Sequence, residues 1–422
     1  MFQNKPLGSL ISSHVGGGTP SRQVADFWNG NIPWASVKDF SDNHGKLERT
    51  EEHITAQGLN SSSSSLIKEN TIVICSRMAV GKAALTKIPV AINQDLKALF
   101  NKKNVNERYL LKLLQWLAVK IESKAVGSTV KGIRISDLLA LETPVAPETE
   151  QPIIADVLDN LDTKIIQTEL LIRKMQLVKE GLLHDLLTRG IGVNGQIRPT
   201  FEQAPELYKE TQLGFIPKEW EVCLLDNVAK RGSGHTPDKT NPTYWNGGIK
   251  WVSLADSNKL DDYYIFETDK EISELGVANS SAVVHKKGTV VLSRDAGIGK
   301  SAILGEDMAV SQHFISWSCL PKLSNSYLYF WLQKMKPTFE AIAMGSTIKT
   351  IGLPYFKSLY IPLPSLDEQQ LIFNVQLQAM SKQKQHECEL KKLTELKAGL
   401  MDDLLTGRVR VTELLNQKPK AQ

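Results

Sequence analysis

The sequence predicts an α+β protein built as a tandem repeat: two mixed α/β domains, each followed by a long amphipathic helix, the two helices pairing as a coiled coil. Three observations predict it. The stretch EQPIIADVLDNLDTKIIQTELLIRKMQLVKEGLLHDLL (150–187) returns with the same length as EQQLIFNVQLQAMSKQKQHECELKKLTELKAGLMDDLL (368–405), at an offset of 218. In the first copy Leu158, Leu161, Ile165, Ile172, Met175, Leu182 and Leu186 recur at the three-then-four spacing of a helix that needs a partner, and Leu390, Leu393, Leu400 and Leu404 answer in the second. The repeat also extends beyond the helices: WNGNIPWASVKD (28–39) and WNGGIKWVSLAD (245–256) share seven of twelve positions.

Length and composition bound the rest. A chain of 422 residues exceeds one ordinary core and predicts two or three domains. Its 41% hydrophobic and 23% charged residues are those of a soluble globular protein. No apolar run reaches a spanning length, and MFQNKPLGSL has no signal-peptide form. Cys75, Cys223, Cys319 and Cys388 are scattered without a CxxC pair, so the sequence predicts neither disulfides nor structural zinc and points to a cytoplasmic protein. A net charge of +4 permits nucleic-acid binding, which then depends on where the charge clusters.

In chain order, residues 1–146 read as a first domain, with short β-rich runs such as TIVIC (71–75) and a leucine-rich helix from Glu107 to Ile121. The first long helix occupies 147–190, with Pro152 in its first turn, where a missing N–H costs little, and Gly190 at its stop. Residues 191–220, rich in Gly, Pro and polar side chains, read as a linker laid over a surface. A second domain covers 221–363. The second helix covers 364–407, with Ser365 and Glu368 as an S-x-x-E capping box and Gly407 as its stop. Residues 408–422 read as a frayed tail. At ~1.5 Å per residue each helix is roughly 57 Å long.

Enzymatic signatures are sparse. GIGKS (297–301) lacks the first glycine of a phosphate-binding loop, Arg294 standing in its place, and reads as a strand, a glycine turn and a lysine. NPTY (241–244) approaches an amino-methyltransferase N-P-P-Y, but the matching positions of the first copy are VADF (24–27). No zinc-peptidase motif, nucleophile elbow or adenosylmethionine loop is present.

What remains are polar and basic residues at equivalent loop positions: Arg77 with Arg294, Lys82 with Lys300, Gln94 with Gln312, and Lys131 with Lys349, joined by Lys38 and by Arg134, His235 and His313, which have no counterpart. Arginine and lysine serve phosphate contacts and guanine readout, and glutamine suits adenine. Taken singly, each also reads as a solvated surface group. Ser36, Asp39, Ser253 and Asp256 fit strand-end contacts or turn caps equally. Trp28, Trp34, Trp245 and Trp251 read as core anchors rather than base-stacking platforms.

Together these blocks resemble the DNA-specificity subunit of type I restriction–modification systems over essentially the whole chain. The resemblance rests on WNG-x-I-x-W and GST-x-K-x-I in both halves, the helix starts LETPVAPETEQ and LYIPLPSLDEQQ, and the helix stops LLHDLLTRG and LMDDLLTGR. It implies two target-recognition domains that read the halves of a split DNA sequence, and two helices packed antiparallel as a spacer that also grips two modification (methyltransferase) subunits. Restriction subunits join that assembly. The specificity chain makes no bonds itself, holds no cofactor or metal, and leaves S-adenosylmethionine to the modification subunit. The second helix departs from a uniform apolar seam at Gln376, Gln383 and His386. Two other readings, a self-sufficient modification enzyme and a coiled-coil protein that never meets DNA, make different predictions for adenosylmethionine and duplex binding.

Overall fold

A computed structural model describes residues 1–40, 44–127, 129–343 and 350–417. They fall into two units, Met1–Ile172 with His386–Gln422, and Arg173–Gln385, so each unit takes part of both long helices. The first unit contains β1 (Gln3–Pro6), β2 (Ile11–Gly16), β3 (Trp28–Ala35), β4 (Lys46–Leu47), β5 (Glu52–Ile54), β6 (Ser65–Ile67), β7 (Ile72–Cys75), β8 (Ala83–Thr86), β9 (Val90–Ile92), β10 (Leu96–Asn101), helix α1 (Glu107–Ser123), β11 (Glu142–Val145) and the start of the long helix α2 (Gln151–Leu186). Its strands form a five-stranded sheet in the order β2-β10-β7-β8-β4, a four-stranded sheet in the order β5-β3-β9-β6, and the pair β1-β11.

The second unit repeats this. It contains β12 (Tyr208–Thr211), β13 (Gly214–Pro217), β14 (Glu221–Leu224), β15 (Ala229–Ser233), β16 (Trp245–Val252), β17 (Tyr264–Ile265), β18 (Lys270–Ile272), β19 (Val284–His285), β20 (Val290–Ser293), β21 (Ser301–Leu304), β22 (Met308–Val310), β23 (Phe314–Cys319), helix α3 (Asn325–Ile342), β24 (Tyr360–Leu363) and the start of α4 (Leu366–Thr406). The sheets run β15-β23-β20-β21-β17 and β18-β16-β22-β19, the same orders strand for strand. Both the α+β class and the duplication follow the sequence.

Local chemistry explains the repeated blocks. β7 and β20 are buried on both faces, hence their unbroken apolar runs. The WNG block is a bulge: Trp28 and Ile32 both face Ile54, and Trp245 and Ile249 both face Ile272. The extra residues turn through left-handed Asn29 (φ 59°) and Asn246 (φ 57°). A Cβ on Gly30 would lie 2.5 Å from the Ile54 carbonyl oxygen, and one on Gly247 2.4 Å from Ser273 Cα, so only glycine fits after the asparagine.

The EQ pair at each helix start is a buried clasp. Gln151 donates to the Ala146 carbonyl (3.0 Å) and accepts from the Asn106 N–H (2.9 Å); Gln369 donates to the Pro364 carbonyl (2.9 Å) and accepts from the Ser324 N–H (2.8 Å). Each glutamine thereby ties its long helix to the chain leading into α1 or α3. Glu150, 1% exposed, pairs with Arg410 and accepts from the Val411 N–H, both just beyond α4. Glu368 pairs with Arg198 and accepts from the Ile191 N–H and the Trp220 indole, all beyond α2. A helix start thus meets the other helix's end in both units, which makes the helix segments within each unit antiparallel. Asp162 with Lys397 continues the trend in the first.

Three expectations are corrected. Ser365 does accept from the Glu368 N–H (3.3 Å), but the Glu368 carboxylate is spent on Arg198 and Trp220, so the reciprocal half of the capping box is absent. The stretch 191–220 is not a mere linker: Ile191, Ile216 and Trp220 enter the core of the second unit, Trp220 at 0% exposure. The tail is held at its start, with Val411 buried and Arg410 paired. Gly190 (φ 65°) and Gly407 (φ 72°) end the helices as the sequence predicts.

The residues predicted for the helix seam are all at least partly buried. Leu158, Leu161, Ile165, Ile172, Leu186 and Leu404 are buried, and Met175, Leu182, Leu390, Leu393 and Leu400 are half-buried. Of the polar seam positions, Gln376 is 1% exposed, and its amide nitrogen has no partner among the described residues.

Candidate nucleic-acid interface

In the first unit five loops meet at one edge of the sheets. The loop after β2 crosses the end of β9, where the Gly18 N–H donates to the Ile92 carbonyl (3.1 Å) and Gly17 leaves no room for a Cβ, which would sit 1.8 Å from that oxygen. The Asn93 N–H reaches the Ala35 carbonyl (3.1 Å), which brings in the loop after β3. The Ser76 N–H donates to the Asp95 carbonyl (2.8 Å), and the Ser76 carbonyl accepts from the Ile133 N–H (2.9 Å), adding the β7–β8 turn and the segment around Lys131. Gln94, Arg77, Lys131, Lys82, Lys38 and Ser36 therefore share this edge, with Arg134 just beyond Ile133.

The tryptophans are the anchors of this edge. The Trp34 indole donates to the Gly18 carbonyl (3.1 Å) and that of Trp28 to the Ser21 carbonyl (3.0 Å). Trp251 holds the His235 carbonyl (3.0 Å) and Trp245 the Asp238 carbonyl (3.1 Å). Both tryptophan pairs meet edge to face at 5.2 Å and 86°. On each scaffold a threonine hydroxyl donates to an exposed glutamine: Thr19 to Gln94, Thr236 to Gln312.

Backbone hydrogen bonds correct one pairing made by sequence. The Cys75 N–H meets the Lys82 carbonyl and the Ser293 N–H the Lys300 carbonyl (2.8 Å each), so Arg294 stands where Ser76 does, and Arg77 corresponds to Asp295. Arg77 lies 3.3 Å from Asp95; Asp295 lies 2.6 Å from His313 Nδ1 and accepts from the Thr350 hydroxyl. The same two positions thus hold a carboxylate and a nitrogen-bearing partner in both units, with the acid on opposite sides. Arg294 instead turns its guanidinium to the carbonyls of Gln312 and Ile351 (3.2 Å each), a bracing role.

Other predicted residues separate by environment. Asp39 accepts from the Ser36 N–H (2.8 Å) and Asp256 from the Ser253 N–H (3.0 Å), so Ser36 and Ser253 are turn caps, and Ser253 is buried. Lys300 is half-buried and donates to the Ser257 carbonyl (2.8 Å); the GIGKS turn leads into strand β21, not into a helix whose N-terminus would hold a phosphate. Lys82, Lys131, Arg134 and His235 are exposed at the edges. Lys349 lies outside the described residues.

Sequence reasoning missed the acids Asp95 and Asp295 and the pair Arg22–Glu52. Arg22 lies 3.8 Å over the Trp28 ring, and its hydrogen bonds hold the Glu52 carboxyl below the usual range. Thr19 and Thr236 were also missed as functional groups, although the repeated Thr-Pro step signalled them. Among the described residues no cluster of three His, Cys, Asp or Glu is placed to hold a metal, and no helix is long and apolar enough to cross a membrane.

The model of the type I restriction modification DNA specificity domain matches residues 1–173 and 217–395. The chain belongs to that family. It is 24% identical over 412 residues to the type I restriction enzyme MjaIX specificity subunit of Methanocaldococcus jannaschii, covering 96% of this chain and 93% of that protein. It is 35% identical over 166 residues to the EcoR124I/EcoR124II specificity subunit of Escherichia coli, covering 38% of this chain and 40% of that one. The fold resembles the crystal structure of the S subunit of the type I restriction–modification system of M. genitalium (TM-score 0.58, 15% identity, 96% of both chains). It also resembles a chain from a structural study of type I assembly and conformational transition (TM-score 0.63, 15% identity, 97% of this chain and 98% of that one).

Proposed function

We propose that this chain reads a bipartite, asymmetric DNA target and positions two modification subunits, and the restriction subunits that join them, upon it in the cytoplasm. The observation that carries the reading is one loop edge built twice on the same tryptophan and glycine frame, with different side chains at its rim. Each edge reads one half of the target, so the halves differ. The long helices pair as a coiled coil that sets the spacing of the halves, and their remaining faces hold the modification subunits. The chain makes and breaks no bonds, and S-adenosylmethionine binds the modification subunit.

The test is duplex retention by this chain together with its modification subunit. Salt-sensitive and sequence-selective retention, without adenosylmethionine binding by the isolated chain, is the expected result. Adenosylmethionine bound by the chain alone would favour a modification enzyme, and unselective retention would reject DNA reading. Deleting one heptad from both helices should shorten the unread gap between half-sites; an unchanged methylation pattern would reject the spacer.

A further inference from the structure

We infer that Gln94 and Gln312 each read one adenine, at equivalent places in the two halves of the target, with Thr19 and Thr236 as the residues that aim them. The inference rests on the DNA-reading function proposed above and adds a base, a groove edge and a residue pair to it.

The frame behind each glutamine is rigid and repeated. Thr19 follows Gly17 and Gly18, pinned to the Ile92 carbonyl and to the Trp34 indole; Thr236 follows Gly234 and His235, pinned to the Val310 carbonyl (3.1 Å) and to the Trp251 indole. A Cβ at Gly17 or Gly234 would fall 1.8 or 1.7 Å from a carbonyl oxygen, so neither loop can move inward. Each threonine then fixes an exposed glutamine side chain. A solvent-exposed hydrogen bond of this kind adds little to stability, because water competes for it. Fixing a glutamine also costs rotamer freedom. The fold itself therefore gains little from a pair it keeps twice, whereas a ligand that meets a pre-aimed amide gains directly.

The free valences identify the ligand. The threonine hydroxyl occupies one lone pair of the amide oxygen, which leaves the other lone pair to accept. The amide nitrogen beside that oxygen supplies the donor on both glutamines; on Gln312 it also lies 3.4 Å from His313 Nε2. An acceptor beside a donor is the complement of the adenine major-groove edge, which offers the N6 hydrogen and N7. Guanine presents two acceptors there, and the amide oxygen would oppose one of them.

The test uses the chain with its modification subunit and the duplex it selects. Each adenine of the target is replaced in turn by 7-deazaadenine, which keeps Watson–Crick pairing and removes N7. One replacement in each half should weaken binding roughly 5- to 100-fold. Gln94→Ala should abolish that penalty in one half only, and Gln312→Ala in the other. Thr19→Val, which keeps the shape and loses the hydroxyl, should weaken the same adenine's discrimination and leave the salt dependence unchanged. Selective binding whose 7-deaza penalties are absent, or persist in both alanine variants, would overturn this assignment and leave DNA reading intact. If no duplex is selected, the proposed function fails first and this inference with it.

Discussion

At the edge of the first unit Arg77 faces Asp95; at the same two backbone positions of the second, Asp295 faces His313. A similar exchange occurs behind the edges, where domain meets long helix. Buried Lys112 of the first unit sits among Asp159 and Asp162 of α2, and Lys397 of α4 joins them. Its counterpart in the second unit is Phe330, stacked on Tyr263 and set beside Phe373. One backbone thus tolerates an ion network and an aromatic cluster at the same place, provided each is internally complete. What does not vary is the frame of bulge, tryptophan pair and EQ clasp, in which indoles and glutamine amides hold backbone carbonyls of the adjoining loops.

The two clasps nevertheless differ in depth, and that difference can be broken first. Arg198 is 9% exposed, whereas the Arg410 side chain is 44% exposed. Glu368→Ala leaves the buried Arg198 guanidinium with only the Arg189 carbonyl and the more distant Glu219, unpairs the Trp220 indole, and should cost about 3–5 kcal/mol, seen as lost amide protection throughout the second unit. Glu150→Ala leaves an arginine that water can reach and should cost only about 1–3 kcal/mol in the first unit. Equal losses would remove the distinction. Next, Trp34→Phe and Trp251→Phe each lose an indole hydrogen bond and part of a packed ring, for about 1–3 kcal/mol. Since the frame is shared, hydrogen exchange should report the same loss in both units, and unequal losses would contradict a common frame.

Acid sharpens the comparison further. Arg410 holds the Glu150 carboxyl below its ordinary value against the opposing effect of burial. At Asp162 burial pushes upward, but Lys112 and Lys397 outweigh it, and the carboxyl is also held low. A depressed carboxyl stabilises above its unfolded value, about 4, and that contribution fades as pH falls through the folded value. The first unit should therefore lose amide protection on acidification below about pH 4, and Arg410→Ala with Asp162→Asn should flatten that loss. The smallest effect belongs to a single surface charge. Lys131→Ala should weaken duplex binding evenly across sequences and lower the salt slope by about 1. A changed sequence preference would move Lys131 from phosphate contact to base reading.

The duplication, the apolar face of each long helix and the anchoring tryptophans were legible because each leaves a local pattern: an offset, a spacing, or a bulge that demands Asn-Gly. The register at Arg77 was not. Pairing arginine with arginine shifts the turn by one residue, and the hydrogen bonds of Cys75 and Ser293 restore the register. Trp220 and Ile216 were hidden within a polar, Gly- and Pro-rich stretch, since their burial depends on contacts with β-strands and helices distant in sequence. Glu368 looked like a capping residue because its real partners, Arg198 and Trp220, lie 170 and 148 residues away. At the interface, residue type was readable and role was not: Ser253 and Lys300 proved to be occupied with their own backbone.

The central claim is that each repeated edge reads its own half of one DNA target. The direct measurement is a map of methylated adenines in cells that carry this chain and its modification partner, compared with the Gln312→Ala, His313→Ala variant. One half of the recognised sequence should relax while the other half and the gap stay fixed. Relaxation of both halves together, or an unchanged target, would contradict it.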